Sequence, residues 1–591
     1  MKNYTWNLDI LYTGFSDPAY SEDMSALGEA IKDFSAFSKT APDLSHKEVI
    51  LGYVERSERI SELVSKLALY ANLAMSVNTA DSEAASAYGK VMSQISALSA
   101  PEASLRKIIA SYDDLETIID GDKKLAEFRY LLTSIKKNSI YLLNDGEEAV
   151  FSKMNLSGAS AWSDLQSNLT SSLKGSLNGE EYTLSQLRNM AYSPDPDTRK
   201  AAYDAELASY DKIKDAVAFA LNSIKLQVIS ECELRGYSSP LHKALCDSRM
   251  EAPTLDALIS AMEDYLPHFR RYLRAKAKLI SGKERLDWWD LFAPIGSSDL
   301  SFTPESCAEY LLDIFKEFDS DLHDMVKEAF ENRWIDFYPR EGKVGGAFDC
   351  GVPSAKQSRV LTNFDGSLSD VVTLAHELGH SVHDRQVFDN SILNQEYTMP
   401  VAETASTFNE VLVMNKAIQR AKTTEEKLAL IESQLSDLNQ IIVDIYSRFL
   451  FERSVFDKRN DEFMSADRFC ELMTEAQIAA YGDGLERSTL HPYMWLCKGH
   501  YYSGGLSFYN FPYAFGGLFA RGLYAKYEKE GKDFLPTYKA MLKATGTCSV
   551  EDAAKVADID VTKKEFWQSG LETAKKQIDL FEELVEKMKK A

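Results

Sequence analysis

The chain has 591 residues, of which 45% are hydrophobic and 26% charged, and its formal net charge at pH 7 is −24. This length allows a large core and more than one domain, and the composition is typical of a soluble globular protein. The negative charge argues against binding to nucleic acid or to an anionic membrane surface, because phosphate groups would be repelled.

The apolar content, the first residues and the cysteines of the chain indicate its cellular compartment. No segment is apolar over the roughly 18 residues that a membrane-spanning helix requires, and Met1–Asn7 lacks the apolar core of a signal peptide. Seven cysteines are scattered from Cys232 to Cys548 without a CxxC pair, which is typical of reduced, buried cysteines. We therefore expect a cytoplasmic protein without membrane association, and no feature calls for an obligate protein partner.

Amphipathic helices are predicted over most of the first half of the chain. Apolar residues recur at helical spacing from residue 20 to about 175. Asn178–Gly179 is a strong turn dipeptide, and Ser193–Asp197, with two prolines, is the clearest break. We predict two largely helical domains, at 1–195 and 196–591.

Two short strands are predicted to interrupt the helices at 343–364. The first is Val344–Phe348 and the second is Arg359–Phe364, with a connection that contains Gly, Pro and Ser. Glycines in the first strand allow a peptide backbone to approach closely, so that an extended peptide could add as a further strand. The residues predicted to contact such a substrate are Gly345, Gly346 and Ala347.

A histidine pair with the spacing HExxH is the most informative feature of the chain. His376 and His380 lie one turn apart on the same face of a predicted helix, so both can reach one metal ion. Glu377 then lies beside a water on that ion and can act as a general base. The pattern predicts a zinc-dependent hydrolase with one Zn²⁺ per chain.

The residues around this motif support a helix. Asp365–Gly366 turns the chain, and Ser369 or Asp370 can cap the helix that follows. Asp370 is also expected to support the metal ligands without binding the metal itself. Gly379 costs about 1 kcal/mol in a helix interior, which close packing would explain. His383 lies two turns after the first histidine and cannot share its ion. It is either a supporting or substrate-side group or a packed core histidine.

A third metal ligand is expected from the next helix, since a catalytic zinc usually has three protein ligands and an open position. That helix is predicted to begin after Pro400 and carries Glu403 and Glu410 on one face, seven residues apart. Glu403 would complete a His₂Glu site, and Glu410 would hydrogen-bond a ligand histidine. Either glutamate could instead lie on a solvated helix face.

A tyrosine-rich segment at 499–527 offers groups for the opposite wall of the site. Its phenylalanines are expected to pack in the core, whereas a buried tyrosine hydroxyl needs a partner. Peptide hydrolysis generates a tetrahedral oxyanion, which a phenol or an imidazole N–H can stabilise. The candidates for this role are His500, Tyr509 and Tyr513.

The chain resembles the oligoendopeptidase F branch of the thimet oligopeptidase family of zinc metallopeptidases. The resemblance covers most of the chain, and its motifs occur in the family's order. They are Trp6–Tyr12, Gly345–Phe348, Asn363–Phe364, Asp370–His383, Ala402–Glu410 and His500–Tyr513.

This resemblance implies a mainly α, clam-like zincin with a small β-sheet beside the HExxH helix. A deep central channel between an N-terminal lid (1–195) and a catalytic half (196–591) would admit oligopeptides and exclude folded proteins. By the family's pattern His376, His380 and Glu403 would hold zinc, with Glu377 as the base. His500 and either Tyr509 or Tyr513 would stabilise the oxyanion.

These features predict an endopeptidase that hydrolyses internal bonds of short oligopeptides by metal-activated water. In this mechanism Glu377 takes a proton from the water and passes it to the leaving amine. One alternative is a helical metallocarboxypeptidase, which would release only C-terminal amino acids. Another is a non-catalytic peptide-binding protein in which the metal only stabilises the fold.

Overall fold

The computed structural model of the protein describes residues 4–296 and 300–590, with the backbone alone for Lys590. Met1 and Ala591, the outer bounds of the two predicted domains, lie outside these residues. No helix in the described ranges is both long and apolar enough to cross a membrane. The seven cysteines, all within these ranges, are free thiols.

Helices dominate the N-terminal part of the chain, as predicted. They are α1 (Pro18–Thr40), α2 (His46–Val77), α3 (Ser82–Ser96), α4 (Ser99–Ala110), α5 (Leu115–Asp120), α6 (Lys123–Glu127), α7 (Arg129–Asn138), α8 (Asp145–Ser157), α9 (Ala159–Ser172) and α10 (Leu184–Asn189). Before α10, β1 (Lys174–Leu177) and β2 (Glu180–Thr183) form an antiparallel hairpin. The predicted turn Asn178–Gly179 joins them, with φ angles of 54° and 85° that suit a two-residue hairpin loop.

The predicted break at Ser193–Asp197 is the start of the next helix: Asp195 caps it and Pro196 occupies its first position. The helices of this second part are α11 (Pro196–Tyr210), α12 (Lys214–Arg235), α13 (Pro240–Asp247), α14 (Ala252–Ile280), α15 (Pro304–Phe318), α16 (Ser320–Glu331), α17 (Leu368–Val387), α18 (Met399–Ala402), α19 (Thr404–Arg420), α20 (Thr424–Asn439), α21 (Ile445–Arg459), α22 (Ala466–Tyr481), α23 (Met494–Cys497), α24 (Phe511–Glu530), α25 (Leu535–Ala544), α26 (Val550–Val556) and α27 (Lys564–Lys590). A π-helical turn at Gln440–Asp444 joins α20 to α21.

Two large hydrophobic cores underlie these helices. The first is built from residues between Tyr12 and Ile135, and the second from residues between Ala159 and Val585. Backbone hydrogen bonds connect the parts of the chain that carry them, since the N–H of Val344 donates to the carbonyl of Ser76 over 3.0 Å. The domain boundary at residue 195 stays a prediction.

A small sheet lies beside α17, as predicted. Its strands are β3 (Ile335–Asp336), β4 (Phe348–Val352) and β5 (Gln357–Leu361), in the order β3-β5-β4. β5 pairs in parallel with β3 and antiparallel with β4, with Asp349 opposite Val360. β4 is therefore an edge strand of this sheet.

The predicted bounds of the two longer strands were wrong. The first strand starts at Phe348 and not at Val344, because the segment before it is held by other partners. The Asn363 amide donates to the carbonyls of Val344 and Gly346 over 3.0 and 2.8 Å, and Gly346 turns the backbone with φ 79°. Asn363 is thereby taken out of the second strand, which ends at Leu361 and not at Phe364.

Gly379 marks the closest approach of α17 and α19. A Cβ at this position would lie 2.5 Å from the carbonyl oxygen of Ala405 and from the Cα of Ser406. Both are backbone atoms of the neighbouring helix, which cannot move aside as a side chain can. The glycine in the HExxH motif therefore sets the distance between the two helices, which confirms the close packing predicted for it.

We expect Gly379→Ala to destabilise the protein by about 1–3 kcal/mol and to weaken binding of the predicted zinc ion, because the added methyl group overpacks the helix crossing and pushes α19 away. Gly89→Ala in α3 is the matched control, since a Cβ there meets open space and alanine is the better helix former. Denaturant unfolding and zinc titration of both variants measure the effect. A Gly379→Ala protein that unfolds and binds zinc like the parent would contradict this role.

Candidate active site

The helix that carries the HExxH motif is fixed at its start by a capping box. Ser367 caps α17, and its side chain accepts the N–H of Asp370. The Asp370 carboxylate in turn accepts the N–H groups of Asp365, Gly366 and Ser367 over 2.8–3.1 Å. The predicted cap at Ser369 or Asp370 was therefore wrong: the cap is two or three residues earlier, and Asp370 is its reciprocal partner.

Three side chains, two from α17 and one from the break between α18 and α19, meet at one point. His376 and His380 of α17 bring their Nε2 atoms to 3.2 Å from each other. The Oε2 atom of Glu403 lies 3.3 Å from the first of these nitrogens and 3.5 Å from the second. These residues form the one group of three or more potential metal ligands among the residues that the structure describes.

The spacing of these three atoms fits a zinc ion. Zinc binds histidine nitrogen and carboxylate oxygen at about 2.0–2.2 Å, so two ligand atoms of a tetrahedral site lie about 3.3 Å apart. The three separations in the structure, from 3.2 to 3.5 Å, scatter around that value. Two histidine nitrogens and a carboxylate are also a donor set that catalytic zinc uses.

Glu403 reaches this point from a break between two helices. The structure places it after α18 and before the first residue of α19, so Pro400 lies inside α18 and the predicted start of a single helix after it was wrong. Its Oε2 atom accepts a hydrogen bond from Ser406 over 2.9 Å. α24 packs against it, because a Cβ on Gly516 would lie 3.0 Å from the Glu403 Cβ.

The charges around these atoms favour a cation. Burial raises the pKa of Glu403, but the hydrogen bond to His376 and the nearby His380 lower it to about 2, so this carboxylate is ionised at neutral pH. Burial lowers the pKa of His376, but hydrogen bonds to Glu403 and Glu410 outweigh burial and bring the pKa to about 10. His380 has a pKa near 4, chiefly because of burial. A metal ion would replace the proton that His376 otherwise holds.

Glu410 contacts His376 on the side of the ring that faces away from Glu403. Its Oε1 atom is 2.8 Å from Nδ1 of His376, while Nε2 of the same ring faces Glu403. A carboxylate in this position fixes the orientation of a metal-binding imidazole and increases its basicity. The contact with His376 is the one expected from the sequence, and the role of Glu410 in supporting a metal ligand stays a prediction.

Glu377 is held in a water-poor pocket beside the cluster. Its side chain is 7% exposed. Burial raises its pKa to about 7, against the lowering effect of His376 and of a hydrogen bond from the Asp349 backbone N–H. A carboxyl group with a pKa near neutrality can take up and release a proton at the working pH of most enzymes.

His383 lies in the interior, apart from the metal-ligand group. Its Nε2 atom is 2.8 Å from the hydroxyl oxygen of Thr545, and its ring stacks on Tyr397 at a centroid distance of 4.0 Å. The ring is fully buried, and burial lowers its pKa to about 3. Of the two interpretations that the sequence left open, these contacts are those of a packed core histidine.

The two candidate tyrosines form a pair. The hydroxyl groups of Tyr509 and Tyr513 are hydrogen-bonded to each other, and their rings meet edge-to-face at 5.2 Å. Burial, this hydrogen bond and the negative charge of Glu403 all raise the pKa of Tyr513. Tyr513 therefore lies within electrostatic reach of the metal-ligand cluster as a neutral phenol.

His500 is held by a buried polar chain that sequence reasoning missed. Nη1 of Arg448 lies 3.2 Å from Oδ1 of Asn510, and Nδ2 of Asn510 lies 2.9 Å from Nε2 of His500. Arginine can only donate, so it faces the amide oxygen, and the amide nitrogen must donate to the imidazole. Burial lowers the pKa of His500 to about 3. The neutral ring therefore carries its proton on Nδ1.

A second buried pair holds the residue next to Tyr509. Glu452 bonds Nζ of Lys225 over 2.7 Å and accepts the backbone N–H of Phe508 over 3.1 Å. Phe508 has φ 54°, a strained conformation for a non-glycine residue that needs such support. Glu452 and Arg448 lie one turn apart on α21, so this helix holds both neighbours of Tyr509. The sequence carries no clear signal for these contacts, because α21 contains several other charged residues.

The predicted substrate residues lie next to the edge strand and not in it. Gly345 and Gly346 form a bend, and Ala347 immediately precedes β4. A Cβ on Gly345 would meet no atom within 4 Å, so the space beside this bend is open. The next residues of β4 run past Glu377, to which the N–H of Asp349 donates.

Comparisons with known proteins agree with this architecture. Residues 189–573 match the sequence profile of Peptidase family M3, and residues 110–174 match that of Oligopeptidase F. Oligopeptidase PepF of Bacillus subtilis is 24% identical over 99% of this chain and 88% of its own length. An oligoendopeptidase F homolog of Lactococcus lactis is 25% identical over 99% of this chain and 97% of its own length.

Solved structures share the fold. The crystal structure of a Chlamydophila abortus chain matches with a TM-score of 0.86 at 20% sequence identity, and 98% of each chain is covered. Oligoendopeptidase-F from Enterococcus faecium matches with a TM-score of 0.70 at 19% identity, covering 96% of this chain and 99% of that one. The mainly helical fold with two small sheets is thus shared along nearly the whole chain.

Proposed function

The chain belongs to peptidase family M3, and we propose that it is a zinc-dependent endopeptidase that hydrolyses internal bonds of short oligopeptides. The observation that carries this proposal is the convergence of His376, His380 and Glu403 on one point, with the buried carboxyl group of Glu377 next to the first histidine. The two relatives named above as an oligopeptidase and an oligoendopeptidase support the class of substrate.

We assign the metal to His376, His380 and Glu403, with Glu410 orienting the first histidine. Zinc bound there would supply Lewis acidity, which polarises the scissile carbonyl and acidifies a water molecule. Glu403 keeps its negative charge because its pKa is about 2. His380 stays neutral with a pKa near 4 and keeps a lone pair for a cation.

Glu377 is the proposed general base and then the general acid. Its burial keeps its pKa close to neutral, so that it can accept a proton from the attacking water and pass the proton to the leaving amine. The backbone of Asp349 hydrogen-bonds this carboxylate and helps to hold it in place. One residue thus serves both steps without rearrangement of the backbone.

We propose that His500 and the Tyr509–Tyr513 pair stabilise the oxyanion. Nε2 of His500 accepts from Asn510, so the Nδ1–H is the ring donor left for substrate. In the tyrosine pair one hydroxyl donates to the other, and the accepting hydroxyl keeps its own proton for the oxyanion. Donors that are fixed before the reaction stabilise the transition state without reorganisation.

Substrate backbone is proposed to bind along β4. An edge strand can pair with an extended peptide through main-chain hydrogen bonds, which give affinity with little dependence on side chains. The open bend at Gly345, Gly346 and Ala347 would let that peptide approach. The channel implied by the family resemblance would then limit substrates to short, unfolded chains.

The test is digestion of a ten-residue peptide, blocked at both ends, with mass spectrometry of the products. We expect internal cleavage that stops when zinc is chelated and resumes when zinc is restored. Release of single residues from the C-terminus of an unblocked peptide, with no cleavage of the blocked one, would indicate a carboxypeptidase. A stable complex without cleavage in the presence of zinc would indicate a binding protein.

The polar chain behind His500 gives a separate prediction. We expect Asn510→Leu to lower kcat by about 10- to 100-fold, because His500 loses the partner that fixes its tautomer and ring orientation. KM and zinc content should change little, since Asn510 does not reach the metal ligands. Steady-state kinetics and elemental analysis give these values. An unchanged kcat, or a loss confined to KM, would contradict a positioning role for Asn510.

A further inference from the structure

A cavity of about 300 Å³ lies against Tyr509, one member of the tyrosine pair. Tyr509 forms part of its wall, and so does Met399, which lies four residues before the metal-ligand candidate Glu403. The Gly504–Phe508 loop and residues of α13 also line it. The cavity therefore adjoins two segments that lead directly into the proposed active site, and its volume is in the range of ligand pockets.

The lining of this cavity is chiefly apolar. Met399 and Leu506, which both face it, are 42% and 44% exposed, so apolar surface is open to solvent there. The charged side chains in the wall, Lys243 and Asp247, neutralise each other over 2.8 Å. Exposed apolar surface in a concave site beside catalytic groups is typical of substrate binding.

We propose that this cavity is the subsite for a large apolar side chain of the peptide substrate, such as that of Phe, Tyr or Leu. The inference rests on the peptidase function proposed above and adds a substrate class to it. The cavity shares Tyr509, a candidate oxyanion donor, with the proposed active site. An extended peptide advances about 3.3 Å per residue, so the side chain would belong to a residue within about two positions of the scissile bond.

A phenylalanine scan tests the proposal on the zinc-loaded full chain. The substrates are blocked ten-residue peptides of alanine and serine in which a single Phe is moved along the sequence. We expect one position of Phe, at a fixed distance from the cut, to raise kcat/KM by about 10- to 100-fold over the all-alanine parent. That range corresponds to burial of one aromatic side chain in an apolar pocket.

Gly505 provides a variant that fills the cavity. It lies in the wall, a Cβ on it would meet no atom within 4 Å, and its φ is not positive, so a side chain can be added without backbone strain. We expect Gly505→Trp to reduce the Phe/Ala ratio of kcat/KM at least tenfold. Gly89→Trp is the matched control, because Gly89 also faces open space but lies on α3 in the N-terminal part, and it should leave the ratio unchanged.

A second variant introduces a charge into the wall of the cavity instead of filling the cavity. Leu506 is exposed, so Leu506→Asp should fold normally. We expect it to reverse the preference, with Arg favoured over Phe at the same peptide position. Leu506→Ser is the uncharged control and should weaken the Phe preference without creating one for Arg.

The outcomes separate this inference from the proposed function. Cleavage of every peptide with less than a twofold effect of Phe at any position would overturn the pocket and leave the endopeptidase intact. The same holds if Gly505→Trp lowers turnover of the Phe and Ala peptides equally and Leu506→Asp gains no preference for Arg. Failure to cleave any peptide in the presence of zinc would refute the peptidase function and the pocket with it.

Discussion

Glu377→Gln is expected to lower kcat by roughly 10²- to 10⁴-fold while zinc content stays at one ion per chain. Glutamine has nearly the shape of glutamate and can still accept the N–H of Asp349, but it cannot take a proton from water. The buried position of Glu377, 7% exposed, leaves little room for solvent to replace the missing base. The metal-ligand candidates are other side chains, so they are untouched.

Turnover of a quenched fluorescent peptide and elemental analysis of the same sample measure this prediction. Glu551→Gln is a matched control, because Glu551 is also buried and bonded, to the backbone N–H of Glu251 and the hydroxyl of Thr254. Near-normal turnover by Glu377→Gln would refute its assignment as the base. Loss of zinc together with activity would point to a role in metal binding instead.

Glu403→Ala is expected to lower zinc affinity by at least 100-fold and to abolish most activity. It removes one of three ligand candidates and the negative charge that lies 3.3 and 3.5 Å from the two histidine nitrogens. Replacement of a residue that only hydrogen-bonds a metal ligand lowers the affinity for the metal by about 10- to 100-fold. Glu410→Gln should therefore lose less zinc than Glu403→Ala, although both remove a carboxylate next to His376.

Competition with a chelator of known affinity gives the zinc dissociation constants, and thermal unfolding gives an independent measure. Zinc that binds only the folded state raises its stability in proportion to the logarithm of the ratio of free zinc to Kd. The parent should show this rise, and Glu403→Ala should not at the same zinc concentration. Full zinc occupancy of Glu403→Ala after chelation would exclude this residue as the third ligand.

The local patterns were the most reliable guide to this molecule. The Asn178–Gly179 hairpin turn, the helix over the HExxH motif and the tight packing at Gly379 follow from rules that involve only nearby residues. Helical periodicity places His376 and His380 on one face without any knowledge of the rest of the chain.

Errors occurred where a distant residue competes for local groups. The first strand was predicted four residues too early, because Asn363 takes the carbonyls of Val344 and Gly346. The helix around Glu403 was predicted to be continuous, but packing against α24 accompanies a break at this residue. Neither partner is visible in the segment that it alters.

The contacts that hold the candidate oxyanion donors in place could not be predicted from sequence patterns either. Arg448 and Asn510 are 62 residues apart, and Glu452 and Phe508 are 56 apart. Their contacts depend on how α21 packs beneath the loop that carries Tyr509. α21 carries six charged residues among its fifteen, so its sequence does not show that Arg448 and Glu452 are the ones with partners in this loop.

The sequence by itself determined which candidate groups the site can draw on. They are two imidazoles and a carboxylate at helical spacing, a further glutamate in the next segment, and an imidazole and phenols in a later one. Spacing along a helix is set by backbone geometry, so it can be read from a single chain. The tertiary structure decided how these groups meet, because the separations of 3.2–3.5 Å among His376, His380 and Glu403 depend on the crossing of two helices at Gly379. It also decided the tautomer of His500 and the cavity beside Tyr509, which arise from contacts between distant segments.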